Sequence, residues 1–341
     1  MAVFDRSTLI AGMQRAWSFG ERFALAWTLS GGAVRVLFLE RDAYLAVRRA
    51  DPASWNIPLH RTPTAWAGLR SAHHDAATVV QVTCAGTLPA SQCAKIDALV
   101  ARYAVALSAP RPVLLFDLVG FTTLAPTAQL IRLAALERSL SEAESALAAR
   151  DLPLELRRTT TGDGFFVWDE SAASESDGRM LALLLLTVAL FGRHGHGREF
   201  DMDALKATAG IGRYWHLHRI EHGQPQADGY IVGEVTIELA RLMGECLPGH
   251  VMLALGHQAR NMERLARGVR DANQLLATCT AALGGELRAR LAARRTSSGR
   301  LEPAVRSFRA KHGWVYRAVD LAIRMVGLDP GGSGPIRGAA V

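Results

Sequence analysis

The stretch that decides the fold is Val113-Leu114-Leu115-Phe116-Asp117-Leu118-Val119-Gly120-Phe121-Thr122-Thr123-Leu124. Its opening residues form an unbroken apolar run, which predicts a strand with both faces covered. Asp117 ends that run and Gly120 follows closely, so a carboxylate is expected at a strand edge where the backbone can approach a ligand. Upstream, Pro110 and Pro112 punctuate the chain and place a boundary near residue 107. Downstream, Leu130, Leu133, Leu136, Leu140, Ala143 and Leu147 recur at helical steps, predicting an amphipathic helix that opens near Pro126 and stops before Pro153.

Further out, residues 154–160 and 165–168 flank Gly162-Asp163-Gly164 and read as two antiparallel strands joined by a tight turn. A helix over 174–191, a strand at 207–214, a helix at 232–243 and a strand at 250–255 complete a βαββαβ order. That order specifies an α+β, ferredoxin-like core. Residues 257–295 read as helical with a solvated arginine-rich face, and Trp314-Val315-Tyr316 as a late strand that joins the sheet. Residues 321–341 read as a helix end followed by a flexible tail containing Gly331-Gly332-Ser333-Gly334. Residues 1–107 form an additional α/β region, with strands at 33–39 and 77–83 on either side of a Pro- and Trp-containing segment.

Composition narrows the classes. A chain of 341 residues with 49% hydrophobic and 21% charged residues is globular and long enough for two domains. Its 39 basic against 32 acidic residues give a formal +7, which favours anionic ligands in clefts without diagnosing nucleic acid. Cys84, Cys93, Cys246 and Cys279 contain no CxxC pair, which argues against a zinc knuckle and a secreted disulfide framework and points to the cytoplasm. The apolar run 180–191, bracketed by Arg179 and Arg193, falls short of the roughly 20 residues a membrane span needs and reads as a buried helix. The N-terminus has no basic region followed by an apolar core, so no secretion signal is expected. His216, His218 and His222 lack a cysteine or carboxylate to complete a ligand set, so a non-metal role is expected for them.

The chemistry rests on the two carboxylates. Consecutive elements usually become spatial neighbours, so Asp163 is expected beside Asp117. Paired aspartates suit magnesium, which takes oxygen ligands and leaves positions for substrate phosphates. The Leu118 carbonyl is a further candidate ligand, and the amides of Val119, Gly120, Phe121 and Thr122 are placed to cradle a polyphosphate. No GxxxxGK[ST] loop occurs, which disfavours P-loop chemistry. Taken singly, Asp117 is equally a turn former at a strand end, Asp163 an ordinary hairpin residue and Arg241 a solvated helix arginine.

FDLVGFTTL at 116–124, TTTGDGFFV at 159–167 and GYIVGEVTIELARLM at 229–243 together resemble the class III nucleotidyl cyclase domain, over about residues 108–320. The resemblance implies that Asp117 and Asp163 bind two Mg²⁺ or Mn²⁺ ions per site and that Arg241 steadies the transition state. The family's asparagine one turn earlier falls on Ile237 here, with Glu238 the neighbouring substitute. Lys311 is similar to the family's triphosphate-binding lysine. At the base-reading positions, Thr159 and Tyr230 match neither the lysine and aspartate of adenylyl members nor the glutamate and cysteine of guanylyl members. A tyrosine ring pointing inward penalises a bicyclic base more than a monocyclic one.

That departure resembles the bacterial pyrimidine cyclases of the Pycsar antiphage systems. It implies a cytoplasmic enzyme that turns UTP into cyclic UMP and pyrophosphate, working as a homodimer with shared sites and with neither a nucleic-acid partner nor a membrane span. Three alternatives stay open: an ATP or GTP cyclase with an atypical base pocket, a nucleotide-binding regulator without turnover, and a palm-type polymerase.

Overall fold

The computed structural model describes residues 3–17, 21–50, 59–86, 88–170, 176–194, 204–221, 224–256, 260–279, 286–296, 301–310 and 313–326. The chain divides into two compact units, Met1–Ala109 with Trp215–Val232, and Pro110–Tyr214 with Gly233–Val341. The segment Trp215–Val232 thus interrupts the second unit in sequence while packing with the first, an excursion the composition does not announce.

The first unit contains β1 (Val3–Phe4), α1 (Arg6–Ala16), β2 (Arg22–Ser30), β3 (Ala33–Glu40), α2 (Arg41–Ala50), α3 (Pro63–Ala72), β4 (Ala77–Ala85), α4 (Ala90–Ala101) and β5 (Ala106–Leu107). The expected strands at 33–39 and 77–83 are β3 and β4, neighbours in an antiparallel sheet of order β1-β4-β3-β2. Apolar side chains cover both faces. Leu9, Met13, Ile96 and Leu99 of α1 and α4 pack with Trp27, Val36 and Phe38, while Tyr44 and Trp66 of α2 and α3 pack with Leu25, Leu37 and Leu39 on the other side.

In the second unit, β6 (Arg111–Leu118) leads through α5 (Pro126–Ala148) to the hairpin β7 (Leu156–Thr160) and β8 (Gly164–Asp169). α6 (Ser176–His194) then returns the chain to β9 (Leu205–Gly212). Next come β10 (Trp215–Glu221) and β11 (Gln224–Val232), which pair with β5 of the first unit in a three-stranded sheet of order β11-β10-β5. The second unit resumes with α7 (Glu234–Glu245), β12 (Val251–Ala254), α8 (Arg260–Cys279), β13 (Glu286–Leu291), β14 (Ala293–Arg295), β15 (Leu301–Pro303), β16 (Val305–Arg309) and β17 (Val315–Val326). Its main sheet runs β13-β17-β12-β9-β6-β8-β7, with β16 also on β17. β9 and β12 are parallel, whereas β6 is antiparallel to both of its neighbours.

α6 is apolar on every side because it is covered on every side. Residues 180–192 are all buried, between the sheet face carrying Leu114, Phe116 and Leu118 and the helices α5 and α8. A helix without a polar stripe is stable only in such a place. α7 covers the opposite face: the Thr208 hydroxyl donates to the Leu239 carbonyl at 3.4 Å, and Gly210 and Gly212 face Leu239 and Val235. Strand alternation puts Asp117 and Lys206 on this same face. Among the described residues no helix is long and apolar enough to cross a membrane.

Two sequence expectations are corrected here. The helix expected over 257–295 ends at Cys279, and 286–291 form a strand, because Leu287 and Ala289 are buried with an arginine after each, a period of two. The helix end expected from residue 321 is instead the second half of β17, where Leu321 and Ile323 alternate inward and Leu321 pairs with Leu291. The tail from 329 lies outside the described residues.

The tightest backbone approach in the second unit is at Gly164. A Cβ there would overlap the Phe116 carbonyl on the neighbouring strand, and backbone cannot move aside as a side-chain end can. Gly164→Ala is expected to destabilise the chain by about 1–3 kcal/mol; unfolding in urea, compared with the parent at equal slope, measures it.

Candidate active site

Asp117 and Asp163 meet because three local features fix the hairpin against β6. Asp117 pairs with Gly164 across the antiparallel ladder, and the Leu118 amide donates to the Asp163 carbonyl at 3.0 Å. The turn is closed by the Thr161 amide on the Gly164 carbonyl, also at 3.0 Å, with Gly162 at φ 102°. Two threonine hydroxyls that sequence reasoning passed over complete it. Thr160 Oγ1 accepts from the Gly162 amide at 3.0 Å, and Thr161 Oγ1 donates to Asp163 Oδ1 at 3.3 Å. Hydroxyls flanking a Gly-Asp turn commonly have this role, so the run Thr159-Thr160-Thr161 was the available signal.

Asp117 is half-buried, and burial pushes its carboxyl above the ordinary range. A hydrogen bond from Lys206 works in the opposite direction, and the charge of Asp163 adds to the rise. The two carboxylates are therefore close enough for the charge of Asp163 to be felt at Asp117. Lys206 Nζ lies 3.2 Å from Asp117 Oδ2, and the two residues are Cα partners on β9 and β6. Nothing in the sequence alone names Lys206, since only the register between strands distant in the chain brings it to Asp117.

After β6 the chain turns at Gly120, whose φ of 65° suits a residue without a Cβ. The Gly120 carbonyl accepts from the Thr123 hydroxyl at 2.7 Å, and the Gln129 side chain donates to the Phe121 carbonyl at 3.0 Å, pinning the loop to α5. Of the expected cradle, Val119 is corrected: its amide donates to the Ala204 carbonyl at 3.0 Å. The amides of Gly120, Phe121 and Thr122 have no acceptor among the described residues.

Thr159 is partly exposed on β7 opposite Phe166. Arg241 is exposed on α7, whose Leu239, Leu242 and Met243 seal the other side to the sheet, and it forms no ion pair with either aspartate. Ile237, one turn before it, is 52% exposed. Glu238, beside Ile237, accepts from the Gly256 amide at 3.1 Å. Tyr230 is exposed on β11 in the first unit, paired with Leu217. Lys311 lies outside the described residues.

The pair fits a hard divalent cation in its chemistry. Two carboxylates face one half-buried position with a single lysine charge beside them, leaving local negative charge for an ion to neutralise. No cluster of three or more ligating side chains occurs among the described residues. Further coordination would come from backbone, water or ligand oxygens.

No protein-family model matches this chain, and no curated protein does. Solved structures similar to it include the guanylyl cyclase Cya2, at 13% identity and a TM-score of 0.40 over 67% of this chain and 97% of that one. The guanylate cyclase domain of RhGC from Catenaria anguillulae in complex with GTP is similar at 11% identity and a TM-score of 0.36, over 62% of this chain and 97% of that one. The adenylyl cyclase CyaB from P. aeruginosa is similar at 12% identity and a TM-score of 0.34, over 67% and 99%.

A raised Asp117 sets the direction of a pH effect. The folded chain holds this proton more tightly than the unfolded chain, so stability falls as pH rises from the ordinary 3.8 through the folded value. Asp117→Asn removes that fall and leaves the chain at least as stable as the parent at neutral pH. Urea midpoints of both proteins in chelator, from about pH 4 to 7, measure the difference; a variant that is weaker throughout would mean that pairing with Lys206 outweighs burial.

Proposed function

We propose that this chain is a nucleotidyl cyclase that converts a ribonucleoside triphosphate, UTP by preference, into its 3′,5′-cyclic monophosphate and pyrophosphate. The observation that carries this reading is the convergence of Asp117 and Asp163, held by the bond from the Leu118 amide to the Asp163 carbonyl. In the reaction the substrate's 3′ oxygen bonds to the α-phosphorus, its proton leaves to solvent, and the bond to the β-phosphate oxygen breaks to release pyrophosphate. When bound at the aspartates, two Mg²⁺ or Mn²⁺ ions supply activation of the hydroxyl and neutralise phosphate charge.

The chain's own groups provide the rest. Asp117 and Asp163, with the Leu118 carbonyl, hold the ions. The free amides of Gly120, Phe121 and Thr122 face the anionic tail, and Arg241 binds charge on the reacting phosphoryl group through its planar fork. Thr159 and Tyr230 read the base. Their hydroxyls suit a pyrimidine edge, and Tyr230, 48% exposed in a single chain, has surface free for a ligand or partner. Two chains related by two-fold symmetry build two sites, each joining the aspartates of one with Thr159, Tyr230 and Arg241 of the other. Exposure of Arg241 and Ile237 on α7 supports that arrangement. A role as second-messenger synthase in antiphage defence is what the resemblance to the bacterial pyrimidine cyclases implies.

Incubating the purified chain with each of the four triphosphates and Mg²⁺ or Mn²⁺, then identifying products by mass, tests this directly. Cyclic UMP and pyrophosphate are expected; a cyclic purine nucleotide reassigns the base pocket. Arg241→Ala is expected to lower kcat by about 10²–10³-fold, and Asp163→Asn to abolish turnover in a folded chain. Mixing Asp117→Ala with Arg241→Ala chains should restore one intact site per heterodimer. Magnesium-dependent nucleotide binding without pyrophosphate release would instead favour a regulator, a reading to which Ile237, in place of the family's asparagine, lends support.

A further inference from the structure

Lys206 is out of place by every ordinary rule of this chain. Of its 39 basic residues only Lys95, Lys206 and Lys311 are lysines. Lys206 lies on a strand, β9, whose next five residues are all buried. A charge at such a position is costly without a partner.

The partner is specific. Lys206 is the Cα neighbour of Asp117, and its Nζ contacts Asp117 Oδ2 at 3.2 Å, both side chains about one-fifth exposed (20% and 21%). Other nearby charges are already engaged. Asp320 on β17 is paired with Arg306 at 3.3 Å and approached by His250 at 4.0 Å, and Asp163 accepts from Thr161. Around Asp117 there are thus two carboxylates and one ammonium, and the ammonium stands on the flank of Asp117 away from Gly164 and the Asp163 turn. An ammonium on a flexible four-carbon stem is a point charge that can leave one oxygen for another position, unlike a planar guanidinium fork.

We propose that Lys206 is a resident counter-cation of this site. Its ammonium holds Asp117 until a divalent cation arrives, so metal entry exchanges one cation for another. The proposal rests on the reading of Asp117 and Asp163 as metal ligands. Lys206 then acts as a positioning residue with two opposite effects: it stabilises the metal-free fold and weakens affinity for the bare ion.

Mn²⁺ titration of the full chain without nucleotide, with free ion followed by its paramagnetic resonance signal, tests this. Lys206→Met is expected to bind Mn²⁺ about tenfold more tightly or better, and Lys206→Arg, whose fork steps aside less readily, to bind it no more tightly than the parent. In chelator, Lys206→Met should melt below the parent, and saturating Mn²⁺ should raise its Tm by more than it raises the parent's. If the methionine variant does not fold, Lys206→Gln keeps the comparison, with the same tightening expected. Equal or weaker Mn²⁺ binding by the neutral variants overturns the counter-cation and leaves the aspartate pair intact as a metal site. Binding by neither parent nor variant, or binding that survives Asp163→Asn, overturns the aspartate pair and the inference with it.

Discussion

The site depends on how closely β8 lies against β6. Gly164 has no side chain, so its backbone reaches the Phe116 carbonyl, and the next contact along is the Leu118 amide on the Asp163 carbonyl at 3.0 Å. A slip of one residue in this ladder would send every side chain of β8 to the other face. Asp163 would then leave Asp117, and only burial would still push the Asp117 carboxyl up. The carboxylate pair and its need for a counter-charge follow from that register, and the separate register of β9 on β6 sets Lys206 beside them.

A register is only as firm as its support. The face behind the site packs on α6, a helix with no polar side to turn outward, so rotating it would expose apolar surface at about 25 cal/mol per Å². The other face is kept low by Thr208, Gly210 and Gly212, which let α7 settle on β9 and present Arg241 to solvent. Strained electrostatics at the end of a sheet are sustained by cohesion in its middle, a division of labour that rigid functional sites require.

Much of this was legible in the sequence because it is written in local patterns. An apolar run stopped by Asp117, a glycine-flanked Asp163 and a helix too apolar for the surface each carry their own signal. What was not legible depends on distant pairing. Lys206 falls just ahead of the strand expected at 207–214 and carries no signal until β9 is set beside β6. The hairpin of β10 and β11 finds its third strand at Ala106–Leu107, on the far side of Pro110–Tyr214 in the sequence. β13 was misread because arginines alternating with Leu287 and Ala289 resemble a solvated helix face when the period is not counted. β2 was missed although Gly31-Gly32, both at positive φ, mark a hairpin turn ahead of β3.

The chain passes between its two units three times, at 109/110, 214/215 and 232/233. On the ribosome the amino-terminal unit therefore cannot assemble its small sheet until Val232 has emerged, by which time β6 to β9 are already available to collapse. The usual order, in which a leading domain finishes before the next begins, is closed to this protein. For the same reason neither unit can be excised whole by a single cut.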